Sequence, residues 1–150
     1  MKLKLDVEEK RYAELAAFLT ARGIEIDDEA DLVLREVNRF AGHLIVRDTA
    51  RGKRVFLSVS EIISIESFGH TVTVYTEQGS YQAGERLYQI AGRLDPEQFL
   101  RISNSVIIAT NRVRRIAPTL SMKFILTLSD GRNVDVTRSY YYIFKEAFGI

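Results

Sequence analysis

A chain of 150 residues has room for one ordinary domain, or for a domain of about 100 residues with a small extension. Its hydrophobic fraction of 46% and charged fraction of 27% indicate a packed core, and the lack of cysteine excludes disulfides and thiolate metal sites. Residues 1–50 carry eight Lys or Arg against eleven Asp or Glu, whereas residues 51–150 carry thirteen against nine. The basic excess of the second part fits a polyanionic partner, and ordinary fluctuation explains it equally well.

The first residues do not form a signal peptide, because Asp6, Glu8 and Glu9 interrupt any apolar run. No later stretch approaches the roughly 18 apolar residues that a membrane helix needs. We therefore expect a soluble cytoplasmic protein that does not associate with a membrane.

The N-terminal part predicts a strand, a helix and a second strand. Leu3 and Leu5 alternate with polar residues, and Ile24 and Ile26 do so again after Gly23, which suits the end of a helix. Between them, apolar residues fall on one helical face, at Tyr12, Leu15, Ala16 and Leu19. The acidic residues of 27–31 suit a solvated loop, and short strands are plausible at 32–37 and 44–47. The polar segment 49–53 then predicts the join between an αβ extension, residues 1–45, and a larger domain, residues 46–150.

The larger part is mainly β. Gln78-Gly79 and Asp130-Gly131 predict hairpin turns. Predicted strands lie at 55–59, 62–66, 71–76, 80–83, 105–109, 113–118, 123–128 and 133–136. One predicted helix, 85–94, turns Leu87, Ile90, Ala91 and Leu94 inward. The other, about 139–148, turns Tyr140, Ile143, Phe144 and Ala147 inward.

Motifs of common enzyme classes are missing from the sequence: there is no GxGxxG, GxxxxGK[ST], HExxH or GxSxG. His43 and His70, the two histidines, make a weak case for a metal site without cysteine. We expect neither an enzyme nor a bound cofactor or metal.

Four local patterns follow one another in a recognisable order. They are IISIESFGH at 62–70, a helix leading into FLRISNSVII at 99–108, Asn111 followed by VRRI at 113–116, and LTLSDGRNVDVTRSY at 126–140. In this order and spacing the set resembles the LytTR DNA-binding domain, over roughly residues 45–149. The second and fourth patterns together carry most of the resemblance.

The resemblance implies an elongated α+β fold, mostly β, made of small antiparallel sheets with two short helices and preceded here by the β-α-β extension. Family members place loops in successive major grooves of double-stranded DNA and regulate bacterial transcription, usually at paired direct repeats. The base-contacting positions map to His70, Asn104 and Arg138. Neighbouring phosphate and loop positions map to Ser67, Gly69, Arg101, Ser103 and Ser139. Many relatives carry a receiver domain, for which the sequence upstream of residue 50 is too short.

The side chains at these positions suit the implied contacts. Arg pairs with guanine O6 and N7 and Asn with adenine N6 and N7, while His donates to N7 or phosphate and Ser to phosphate. Structural alternatives stand beside these roles: Asn104 as turn chemistry, His70 as an exposed loop tip, and Gly69 as a positive-φ residue. Arg138 follows Thr137, a plausible N-cap, although a cation there opposes the helix dipole. The stripe Tyr140, Tyr141, Tyr142 and Phe144 suits core and rim better than base stacking.

The main hypothesis is therefore a transcription regulator that binds duplex DNA through His70, Asn104 and Arg138. The rival is a protein-interaction or scaffolding module that keeps the fold and uses exposed strand edges. Because paired repeats need two copies, we expect a homodimer at least on DNA. The apolar helix face and negative charge of residues 1–45 make the extension the candidate dimer contact.

Overall fold

The computed structural model describes residues 1–36 and 40–150. The chain forms two compact units, Met1–Arg39 and Phe40–Ile150. Among the described residues, no helix is long and apolar enough to cross a bilayer.

The N-terminal unit is a three-stranded parallel sheet with one helix, in the order β2-β1-β3. Its elements are β1 (Lys2–Asp6), α1 (Glu9–Thr20), β2 (Glu25–Ile26) and β3 (Val33–Arg35). The predicted strand, helix and strand are thus present, and Leu3 and Leu5 are buried as alternation requires. The last residue of the predicted strand 32–37 lies outside the described residues.

The apolar surface of this unit is only partly covered. Leu15, Ala16 and Leu19 of α1 are half-buried, as their shared face predicts, but Tyr12 is exposed. Phe18 is 51% exposed. Leu32, Val33 and Leu34 are likewise exposed.

The second unit contains a seven-stranded antiparallel sheet in the order β5-β4-β8-β7-β6-β10-β9. Its strands are β4 (His43–Asp48), β5 (Lys53–Ser58), β6 (Ile62–Phe68), β7 (Thr71–Thr76), β8 (Gly79–Ala83), β9 (Phe99–Ser103) and β10 (Val106–Ala109). The polar segment 49–53, predicted as the join between units, instead closes the β4–β5 hairpin, in which His43 pairs with Ser58 and Asp48 with Lys53. The units therefore meet at Arg39/Phe40, and a division after residue 45 would cut β4.

A second, three-stranded antiparallel sheet follows in the order β11-β12-β13. Its strands are β11 (Val113–Pro118), β12 (Phe124–Leu128) and β13 (Asn133–Val136), and the unit's helices are α2 (Leu87–Ala91) and α3 (Tyr141–Phe148). A 3-10 turn, Arg138–Tyr140, leads into α3. The architecture is the predicted α+β fold, mostly β.

Two hydrophobic cores hold this unit together. In the first, Leu87 and Ile90 of α2, with Leu94, pack with buried residues of the seven-stranded sheet. In the second, Phe144 of α3 packs with buried residues of β6, β9 and β10 and of the three-stranded sheet. Strands β6, β9 and β10 contribute to both cores, so they are covered on both faces.

Two predictions about the second unit were incomplete. The sequence did not predict β9 as a strand. For the last helix, Phe144 is buried as predicted, but Ile143 is 51% exposed and Ala147 is exposed as well. Because the 3-10 turn comes first, α3 begins only at Tyr141. Its buried face is therefore formed by Phe144 together with the half-buried Tyr141 and Phe148.

Candidate nucleic-acid interface

The first candidate loop is the two-residue turn between β6 and β7. Phe68 pairs with Thr71 across the hairpin, so Gly69 and His70 form its tip. The backbone of Gly69 has φ +61°, whereas His70 does not have a positive φ. This is the arrangement of a tight hairpin turn with glycine at its first central position. The glycine is therefore needed for the turn, while the His70 side chain is exposed and has no hydrogen-bond partner among the described residues.

The second loop is the turn between β9 and β10. Arg101 closes it, because its Nε donates to the Ser103 carbonyl at 3.2 Å and its Nη2 to the Asn104 carbonyl at 2.6 Å. The Ser105 N–H donates to the Ser103 hydroxyl at 3.2 Å. Asn104 thus lies at an exposed tip whose backbone is held from both sides.

Ser103 differs from its predicted place as a loop contact for DNA. Its side chain is only 6% exposed, and its hydroxyl accepts the Ser105 N–H. A buried hydroxyl engaged with the next turn residue shapes the turn and is not presented to a phosphate.

The third loop joins β13 to α3. The Thr137 N–H donates to the Ile102 carbonyl of β9 at 3.0 Å, which fixes the start of this loop beside the second one. Thr137 stands at the N-cap position, but its side chain makes no capping bond. Arg138 and Ser139 follow, both exposed. Within the described ranges, the Arg138 guanidinium has no hydrogen-bond or ion-pair partner.

Hydrogen bonds connect the three loops to one another. The Ser67 N–H donates to the Ser105 carbonyl at 2.8 Å and ties the first loop to the second. The Tyr140 hydroxyl donates to Asn104 Oδ1 at 3.1 Å and ties the second to the third. Together the β6–β7 turn, the β9–β10 turn and residues 137–140 form one surface, called the loop end below. It brings together all three predicted base-contacting positions.

A cleft of about 290 Å³ opens at the loop end, between the first loop and α2. Its lining includes Ser67, Gly69, His70 and Arg101, four of the residues singled out in the sequence, and also Arg86. Arg86 was missed because its place beside the first loop depends on how the start of α2 packs, which no local pattern encodes. Its charge adds to a surface already rich in donors. No cluster of three or more His, Asp or Glu in the described parts of the chain is placed to hold a metal ion.

A cluster of oppositely charged side chains behind the loop end joins the two sheets. The guanidinium of Arg132, in the β12–β13 turn, pairs with Glu66 of β6, donates to Ser64 Oγ at 2.8 Å and to Asp130 Oδ2 at 2.6 Å, and lies 3.7 Å above the Tyr75 ring. Ser64 is fully buried and donates to Glu66 Oε2 at 2.7 Å. Glu66, one residue before Ser67, is thereby held in place by Arg132 and Ser64.

Charge coupling within this cluster is reflected in its pKa values. Burial lowers the pKa of Arg132, but hydrogen bonds and charge attraction from Glu66 and Asp130 outweigh it, so the pKa of Arg132 is raised above its ordinary value. Burial acts to raise the pKa of Asp130, and its bonds to Arg132 reverse this and lower it below 3.8. Both groups are therefore charged at neutral pH.

Comparison with known proteins gives a consistent result. The family described as "LytTr DNA-binding domain" matches residues 52–149. The transcriptional regulatory protein LytR of Staphylococcus aureus strain N315 is 29% identical over 94 residues, covering 63% of this chain and 38% of LytR. The sensory transduction protein LytT of Bacillus subtilis strain 168 is 26% identical over 110 residues, covering 73% of this chain and 46% of LytT.

The same likeness is seen in three dimensions. A solved LytTr DNA-binding domain from Bacillus cereus superposes with a TM-score of 0.69 at 21% identity, covering 73% of this chain and 99% of that one. The chain spans less than half the length of LytR and LytT. Since the family match takes in β5 to α3 with all three loops, the chain belongs to the LytTr DNA-binding domain family.

Proposed function

We propose that this chain is a DNA-binding transcription regulator, not an enzyme, and that it reads base sequence in the major groove with the loop end. One observation carries the proposal. Three loops that are far apart in the sequence are joined by hydrogen bonds into one surface, at which Arg138 and His70 have no partner among the described residues. A duplex partner supplies acceptors for both, and the site of action is then the cytoplasm, where the chromosome lies.

Each of the three base-reading positions has a chemical counterpart on DNA. Arg138, exposed and unpaired within the described ranges, suits bidentate contact with guanine O6 and N7. Asn104 keeps its amide N–H donors available while Tyr140 occupies one lone pair of Oδ1, which leaves the amide able to pair with adenine. His70 at the hairpin tip suits N7 or a phosphate oxygen.

Phosphate contacts would surround these positions. Arg101 uses two of its five donors to close the β9–β10 turn, which leaves three for a phosphate, and it lines the cleft together with Arg86. Ser67, Gly69 and Ser139 are the remaining candidates for positioning contacts, by hydroxyl or backbone N–H. Ser103 is not among them, for the reason given above.

We further propose that two copies act together on paired direct repeats, with the N-terminal unit as the dimer contact. The support is its exposed apolar surface, which includes Phe18 of α1 and Val33 and Leu34 of β3. Its negative charge makes it a poor ligand for DNA, so a protein surface is the better partner. Linking two DNA-binding units raises the effective concentration of the second, with a gain of about 10²–10⁴ in avidity.

Selection of bound sites from random duplex DNA tests the function. Incubation of the full chain with the random pool, recovery and sequencing should enrich one short motif, present as two direct copies at a fixed spacing. If no motif is enriched after repeated rounds and binding to the pool does not depend on salt, the DNA-reading proposal fails. The fold would then serve as a protein-interaction module.

A further inference from the structure

Phe68 is the most exposed aromatic side chain of the second unit among the described residues, at 92%. It is the last residue of β6 and immediately precedes the Gly69-His70 turn. Single exposed apolar residues are common on protein surfaces, so exposure alone carries no argument. The position of Phe68 directly before the tip of the first candidate DNA-contacting loop is what calls for an explanation.

The surroundings of Phe68 are polar and cationic. Its chain neighbours Ser67 and Gly69 line the cleft that also holds Arg86 and Arg101. Strand alternation puts Phe68 on the other face of β6, together with Ser64 and Glu66. The Glu66 carboxylate there is already paired with Arg132. A large apolar group therefore projects from the end of β6, on the face opposite the cleft and directly before the turn that carries His70, where a purely electrostatic contact with DNA has no use for it.

We propose that Phe68 is a base-reading residue whose phenyl ring contacts the 5-methyl group of a thymine in the major groove. That methyl is the apolar feature of the base edges exposed there, and aromatic side chains are among its usual contacts. Phe68 lies two residues before His70, at the base of the same hairpin turn, so its ring could reach the same or the adjacent base pair. The inference rests on the proposed DNA-reading function and adds to it a preference for thymine.

The test removes one methyl group from the DNA and one ring from the protein. Each thymine of the selected duplex is replaced in turn by deoxyuridine, and affinities of the full chain are measured for the wild type, Phe68→Ala and Phe56→Ala. Phe56 is a matched control, 71% exposed on β5 at the far edge of the sheet. Thermal unfolding of each variant checks that the fold is intact, which the exposure of both side chains favours.

At one thymine, loss of the methyl should weaken wild-type binding about 3- to 5-fold, as expected for one buried methyl group. Phe68→Ala should weaken binding to the duplex that contains thymine by at least as much. The affinity of this variant should not change further when deoxyuridine replaces thymine at that position. Phe56→Ala should behave like the wild type.

Other results separate the inference from the function on which it rests. If Phe68→Ala responds to deoxyuridine as strongly as the wild type does, the thymine contact is refuted and DNA reading stands. If Phe68→Ala keeps full affinity but lowers the sedimenting mass, the ring contacts a second copy and the inference is also refuted. If the selection yields no motif at all, the proposed function has failed before the inference is reached.

Discussion

Arg138 and Asn104 reach the loop end by different means. Arg138 follows Thr137, whose N–H is bonded to β9, and its guanidinium has no partner among the described residues. Asn104, in contrast, is fixed at its backbone by Arg101 and at its amide by Tyr140. A free guanidinium adapts to a base pair at some cost in entropy. A fixed amide has less freedom to lose, so its contribution depends on the residues that hold it.

Arg138→Ala should weaken binding to the selected duplex by about 1–3 kcal/mol, or roughly 5- to 150-fold, and remove the preference at one base pair. The measurement is the affinity for every single-base variant of the site. Arg51→Ala is the control, because Arg51 lies in the β4–β5 turn, away from the loop end, and carries the same charge. Uniform weakening across all variants would make Arg138 a phosphate contact.

Tyr140→Phe should leave the fold intact and weaken DNA binding about 2- to 10-fold, since it removes one hydrogen bond that orients Asn104. Tyr142→Phe, a change of the same kind at a residue 67% exposed, should have no effect. In the background of Asn104→Ala, Tyr140→Phe should add nothing further. Full additivity of the two changes would show that Tyr140 acts independently of Asn104.

At the scale of elements, the Arg132 cluster decides where the β12–β13 turn sits against β6 and β7. The guanidinium contacts Glu66, Asp130, Ser64 and the ring of Tyr75. Side chains in this cluster are only partly exposed, so solvent screens the pairs less than it screens pairs at the surface. The cluster ties the β12–β13 turn to the strand that leads into the first loop.

The pH dependence of stability should show the part played by Asp130. Because its folded pKa is lowered below 3.8, the carboxylate contributes stability that is complete above that pH and is lost as pH falls through the folded value. Asp130→Asn should therefore lower the free energy of unfolding by about 0.2–1 kcal/mol at pH 7, and the difference should shrink as the pH falls through the lowered pKa of Asp130. Asp135→Asn, at an exposed site on β13, is the control. A difference that persists unchanged at low pH would exclude the charge as its cause.

Sequence patterns predicted well those elements that have one buried face and one exposed face. The bounds of β7, β11 and β13 agree with the predicted strands, as does the inward face of α2. Strand β9 was missed because Phe99 packs into the first core and Ile102 into the second, so apolar residues lie on both faces and the alternation disappears. The hairpin turn at 49–52 was taken for a linker, since both are polar and contain glycine.

The candidate site likewise has a part that the sequence predicts and a part that it does not. The three loops could be found from local patterns and from the family resemblance. Their connections could not: Tyr140 contacts Asn104 across 36 residues and Arg132 contacts Glu66 across 66. Such contacts depend on how the two sheets pack, which no local spacing encodes. Arg86 was missed for the same reason.

At the scale of the whole molecule, net charge differs between the two units. The acidic N-terminal unit exposes Phe18, Val33 and Leu34, and the basic unit carries the loop end. Under the proposed function, contact between copies belongs to the first unit and contact with DNA to the second.

Sedimentation of the full chain tests this assignment. The wild type should associate in a concentration-dependent manner, and Phe18→Ser should shift the equilibrium toward the monomer while affinity for a single repeat stays the same. Phe56→Ser, an equally drastic change on β5 of the second unit, should leave association unchanged. A wild-type chain that is monomeric at high concentration and still binds paired repeats cooperatively would remove the N-terminal unit from the dimer.

The most direct test of the central claim, that the loop end reads DNA sequence, is the affinity of the full chain for the selected duplex and for a scrambled duplex of the same composition, each measured from low to physiological salt. Both affinities should fall as salt rises, because phosphate contacts release counterions, and the selected duplex should bind about 10³-fold or more tightly at physiological salt. Equal affinity for the two duplexes at every salt concentration would contradict sequence reading, and affinity that does not change with salt would contradict DNA binding itself.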